Sequence, residues 1–145
     1  MNKVKPGDIF AVPLDNRKQH YSYIRMYNDP NIAILNVTSK NRLLSITELE
    51  NYTPYMDAFS LRTAVEKGEW PYIGNIPFNK NENPWPAPKK QVSTIRPDLK
   101  LVIYQGKLIP SEKFGEYDSL PEFKKFTDET LIKEIIANSE HFHKL

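Results

Sequence analysis

The 145-residue chain contains no cysteine. That absence excludes a disulfide framework and thiolate chemistry together. Only 5 glycines occur, far apart, so no glycine-rich loop is present to cradle a phosphate. No apolar run approaches the roughly 20 residues that span a bilayer. At the amino terminus, Pro6, Gly7 and Asp8 interrupt the chain before a signal segment can form. These absences make cytoplasmic residence, with no membrane contact, the simplest expectation.

Charge of one sign is also lacking. There are 20 Lys and Arg against 18 Asp and Glu, a net charge of +2. The basic pairs Arg17-Lys18, Lys89-Lys90 and Lys124-Lys125 are scattered and form no polybasic run. Nucleic acid is therefore not expected as a partner, although the balance does not forbid it.

What is present in excess is proline, 12 residues, together with 8 Tyr and 7 Phe. Half of the prolines fall between Pro71 and Pro97, so this segment must be irregular or lie at a sheet edge, where no ladder donor is required. The length suits a single domain, residues 1–145, with a core of its own.

The remaining pattern predicts a mostly β (α+β) protein: an antiparallel meander or small barrel-like sheet with a C-terminal helix. Ile9 to Leu14 is apolar on both faces, as in a buried strand. After the polar turn 15–18, Tyr21, Tyr23, Arg25 and Tyr27 alternate with Ser22, Ile24 and Met26 at strand period. A turn at 28–31 leads into a third apolar run, Ile32 to Val37. Thr47-Glu-Leu-Glu50 and Thr63-Ala-Val-Glu66 have capping-box spacing, and Gly68 is placed to end the second turn. Phe59 to Arg62 and Trp70 to Phe78 read as strands, 79–98 as a long loop, and Lys100–Tyr104 with Lys107–Ile109 as a hairpin around Gln105-Gly106. Thr127-Asp-Glu-Thr130 opens a helix whose Leu131, Ile132, Ile135 and Ile136 form one stripe.

Catalytic chemistry is hard to place. No Gly-x-Ser-x-Gly or Ser-x-x-Lys occurs, and His20 is the only central histidine. His141-x-His143 has the form of a metal pair but lacks a third ligand at a matching spacing. Glu48 with Glu50, and Asp118 with Glu122, read as solvated acids. No catalytic residue, metal site or cofactor is assigned. The two Trp-Pro segments divide instead. Trp70, leading into a strand with Tyr72, Ile73 and Ile76, reads as core, with Gly74 permitting a bulge or close approach. Trp85, in Asn-Pro-Trp-Pro-Ala-Pro, sits in a loop that proline stiffens, and Trp is an interface anchor. Trp85 is the candidate partner contact, with Lys89 and Lys90 as its polar rim.

The opening "KPGDIFAVPL" and the central "KGEWPYIG" together resemble the immunity protein 26 family of bacterial polymorphic-toxin systems. Gly7, Asp8, Phe10, Trp70, Ile73 and Gly74 carry the match, and all six read as structural. The resemblance implies a mostly β protein that neutralises a cognate toxin domain by stoichiometric binding, without enzymatic activity. The same Lys-Pro-Gly-Asp-Ile start is similar to small-barrel toxin ribonucleases of plasmid-maintenance modules, which would place an RNA-cleaving group at Arg17 or Arg25. That pattern lacks its second half here, and the Trp-Ile-Gly segment has no place in it. A third reading is a nucleic-acid-binding β module with Tyr21, Tyr23 and Tyr27 as a stacking face.

Overall fold

A computed structural model describes residues 4–145 except 16, 18, 29, 30, 80–84, 92–94 and 97. The turns at 15–18 and 28–31 and the start of the Trp85 loop thus lie partly outside the described residues. Three strands form the centre: β1 (Asp8–Pro13), β2 (His20–Met26) and β3 (Asn31–Lys40). Neighbouring strands pair antiparallel, Ile9 facing Arg25 and Ile24 facing Ile34. They are joined by β4 (Pro54–Ser60), β5 (Tyr72–Asn75) and the short β9 (Lys125–Phe126), giving an open sheet in the order β5-β1-β2-β3-β4-β9. The meander alternative is the one realised, because the sheet ends in two edges and does not close.

Both faces of this sheet are covered, which explains the unbroken apolar character of β1. Phe10 and Val12 point into one cluster with Ile24, Met26, Ile32 and Ile34. Ile9 and Ala11 join Tyr23, Leu35 and Val37 in the other. The first cluster is closed by Leu131 and Ile135 of α4 (Asp128–Ala137). The second is closed by Leu44 and by Leu49 of α1 (Ile46–Leu49). A strand sandwiched in this way has no solvent face and needs no alternation.

β3 is long enough to serve two partners in succession. It pairs with β4 as far as Leu35, and then with the parallel two-residue β10 (His143–Lys144) at Val37 and Thr38. Its register with β2 shifts between Ser22 and Ile24, where the changeover occurs.

A second sheet was not foreseen. β6 (Lys89–Gln91), β7 (Leu101–Tyr104) and β8 (Lys107–Pro110) form three antiparallel strands. The β7–β8 hairpin is where the sequence places it, with Gln105 and Gly106 both at positive φ, 51° and 76°. The expected loop 79–98 is corrected by β6, a polar Lys-Lys-Gln strand with no periodic signal of its own. Its ladder comes from Val102 and its neighbours on β7. The short helix α3 (Ser111–Phe114) follows β8.

Two expected capping boxes shift. The first helix is capped by Ser45, with Glu48 at the third position, and not by Thr47 with Glu50. Both spacings occur in the sequence, and Arg42 decides between them by gripping Glu48 with two hydrogen bonds of 3.1 and 2.8 Å. That pair and the Ser45 amide hold the Glu48 carboxyl down at about 2. In α2 (Thr63–Glu66), Thr63 is inside the helix, and Arg62 at the cap position supplies no side-chain bond. The Asp128 carboxylate takes that role from across the fold, accepting the Ala64 amide at 2.9 Å.

α4 starts where expected, and it is closed by a capping box: Thr127 accepts the Thr130 amide, and Thr130 accepts the Thr127 amide at 2.8 Å. Thr127→Ala should therefore lower stability by about 1 kcal/mol with the fold intact, as chemical denaturation with unchanged helical circular dichroism would register. A loss below a few tenths would mean that packing of Leu131 and Ile135 alone fixes this helix.

Candidate partner-binding site

The loop carrying Trp85 is pinned to the main sheet by one acid. Asp57 on β4 accepts the Ala87 amide at 3.2 Å through one oxygen and pairs with the Lys89 ammonium through the other. Both side chains are largely withdrawn from solvent, Lys89 13% and Asp57 21% exposed. Lys89 therefore holds the loop in place and does not stand free beside Trp85. Lys90, its strand neighbour, goes elsewhere: its ammonium lies 5.5 Å from the centre of the Tyr117 ring. The two lysines do not form a common rim.

Trp85 is half-buried. Its six-membered ring rests on the bare backbone of Gly106, where an added Cβ would stand 3.4 Å from Cη2. Beside it a cleft of about 290 Å³ opens at the seam of the two sheets, with Ala58, Phe59, Ile103, Tyr104 and Phe123 in its wall. Phe59 and Phe123 meet edge to face at 5.2 Å. Chemically this is an apolar slot with a fixed indole at its mouth, suited to receive an apolar side chain of a partner.

The six motif residues assemble in a second place. β5 pairs with β1, Gly74 opposite Ile9 and Tyr72 opposite Phe10, with a register shift between. Gly7 donates its amide to the Met26 carbonyl and accepts the Ile76 amide. Asp8, 4% exposed, accepts the Lys5 amide at 3.0 Å and the Asn75 side-chain amide at 2.9 Å. Phe10 and Trp70 are buried in the first cluster, and Ile73 packs against the second. Gly74 lies under Ile46 of α1. Between the two motif segments is a cavity of about 590 Å³ lined by Lys5, Asp8, Phe10, Glu66, Trp70 and Tyr72, among others.

The remaining candidates are occupied elsewhere. His20 is exposed, with Nδ1 2.7 Å from Asp15, and this contact is the first cause holding the Asp15 carboxyl down. His141 stacks on Tyr55 at 6.1 Å and His143 lies against Tyr52 at 5.6 Å. Among the described residues no group of three metal-capable side chains occurs. Arg25 is buried, donating twice to the Ile76 carbonyl at 3.2 and 2.6 Å, and lies over Phe78 at 3.9 Å. Tyr23 is enclosed: its hydroxyl donates to Ser39 and accepts the Leu44 amide. Tyr21, Tyr23 and Tyr27 therefore do not make one stacking platform. Among the described residues no helix is long and apolar enough to cross a membrane.

Sequence reasoning missed Asp57, Phe59, Tyr104 and Phe123. No spacing links them, because the seam is made by strands distant in the chain. No curated protein and no solved structure matches the chain significantly. A family model described as Immunity protein 26 matches residues 5–98, about two thirds of the chain, from the Lys-Pro-Gly-Asp turn through the Trp85 loop and β6. The chain belongs to the Immunity protein 26 family.

Proposed function

We propose that this protein neutralises a cognate bacterial toxin by binding it one to one and occluding its active site or substrate path. Family membership over residues 5–98 carries the reading. A preformed surface is enough for this task, and no cofactor enters. The groups nearest to a catalytic pattern are paired at the surface, His20 with Asp15 at the start of β2 and Arg42 with Glu48 at the capped end of α1. The contact we assign is the Trp85 cleft. Its loop is tied down by Asp57 and Lys89 before any partner arrives, which reduces the entropy lost on docking.

The test pairs this chain with the toxin domain encoded beside it, measuring complex stoichiometry and protection in co-expression. Trp85→Ala should fold, and should weaken binding by about 2 kcal/mol, roughly thirtyfold in Kd. Unchanged affinity would remove the cleft from the interface. RNA cleavage by the purified chain, lost in Arg17→Ala, would put the ribonuclease reading first. Arg17 is the informative position because it is exposed, whereas Arg25 supports the fold.

A further inference from the structure

We propose that the cavity between the two motif segments is a guanidinium pocket that takes an arginine side chain of the protein partner. The proposal rests on the toxin-binding reading and names a group by which that partner is recognised. The motif residues accordingly have a second use besides holding β5 to β1.

The chemistry of the walls selects the occupant. Phe10, Trp70 and Tyr72 supply aromatic surface, with the Phe10 and Tyr72 rings edge to face at 5.5 Å. Two acidic residues, Asp8 and Glu66, line the cavity against one basic residue, Lys5. Asp8 is the deeper acid. Its hydrogen bonds from the Lys5 amide and the Asn75 amide come from neutral groups, and no cation pairs with it among the described residues. A carboxylate has about four acceptor sites, so two neutral donors leave capacity for more. Withdrawn from solvent and without a paired cation among the described residues, it attracts a cation that enters the cavity. Tyr72 stands 56% exposed at the mouth, an unusual position for a large aromatic flanked by Pro71 and a buried acid. Burial first, then the Asp8 charge and a hydrogen bond toward Asp8, push its phenol up, in keeping with the shared lining of the cavity by Tyr72 and Asp8.

Aromatic faces beside a carboxylate suit a planar, delocalised and weakly hydrated cation, which is arginine in preference to lysine. A metal ion is the poorer fit. It would need several oxygen ligands at once, and no group of three metal-capable side chains is gathered among the described residues. Lys5, exposed at the rim, is the resident competitor for the site.

The experiment is an NMR titration of the full chain with N-acetyl-arginine N-methylamide, and with the citrulline analogue, which keeps the shape but not the charge. The expected result is saturable shifts at the Trp70 indole and the Asn75 side-chain amide, at least tenfold weaker with citrulline. Tyr72→Ala should fold and lose binding about tenfold, whereas Lys5→Ala should gain affinity severalfold. Asp8→Asn should abolish binding, but Asp8 also anchors the Lys5 turn, so Tyr72 and Lys5 carry the test if that variant unfolds. Equal shifts with citrulline, or indifference to Tyr72→Ala, overturn the pocket. Full toxin protection by Tyr72→Ala overturns the partner assignment and leaves the immunity reading standing. Arginine selectivity in a chain that protects against no toxin supports the pocket and counts against the immunity reading alone.

Discussion

Trp70→Ala lowers the unfolding free energy by about 3–5 kcal/mol, the usual cost of emptying a buried tryptophan site. For a chain of this size that corresponds to a fall of roughly 10–15 °C in Tm. The indole is 6% exposed and packs in the cluster that contains Phe10, Val65 and Leu131. These neighbours come from β1, α2 and α4, so they cannot collapse together into the space without moving the sheet. The expected readings are a thermal melt shifted by that amount, dye binding that reveals loosened packing, and aggregation on warming. Trp85→Ala is the internal control, because its ring is half-buried on a hairpin turn. Equal losses from the two variants would place the Trp85 loop in the core and remove it as a contact surface.

Gly74→Val should cost about 2–4 kcal/mol, from overpacking and backbone strain acting at one residue. The backbone there has φ +156°, and a Cβ would overlap Cγ1 of Ile46 and stand 2.9 Å from its Cδ1. Two successive atoms of the Ile46 side chain are overlapped, so relief needs the whole branch to rotate about χ1 or α1 to move. Ile46→Ala in the same chain should return part of the loss, a coupling that a double-mutant cycle measures directly. If Gly74→Val left the denaturation midpoint unchanged, neither the close approach of α1 to β5 nor the backbone conformation would matter at this position. If Ile46→Ala returned nothing, the cost would lie in the backbone alone.

The division between the two tryptophans was legible because chain neighbours decide it. Trp70 leads directly into a short strand with apolar residues, and proline on both sides of Trp85 keeps that residue in a loop. The hairpin and the last helix were legible for the same reason: Gln105-Gly106 and Thr127–Thr130 contain their whole signal within four residues. The capping boxes at 47–50 and 63–66 had equally local signals and shifted, because groups outside them intervened. Arg42 moved the first by gripping Glu48, and Asp128 replaced the second by reaching Ala64 from α4.

From its sequence alone this protein was bound to be mostly β, with a central meander, a terminal helix and the two motif segments of its family. Strand period and turn residues are short-range properties that a residue run states without help, whereas two of the helix caps were decided from outside their own runs. Tertiary structure alone decided the second sheet, the seam where Phe59 meets Phe123, and the placing of Lys89 on Asp57. It also brought Asp8 and Tyr72 to one cavity from positions far apart in the chain. A strand as polar as Lys89–Gln91 forms only when β7 on one side and residues 121–123 on the other supply its hydrogen bonds, and a pocket exists only once the chain has closed around it. Neither fact is a property of any local run of residues, which is why Trp85 could be read from the sequence while the cleft beside it and the cavity around Asp8 became visible only in the folded protein.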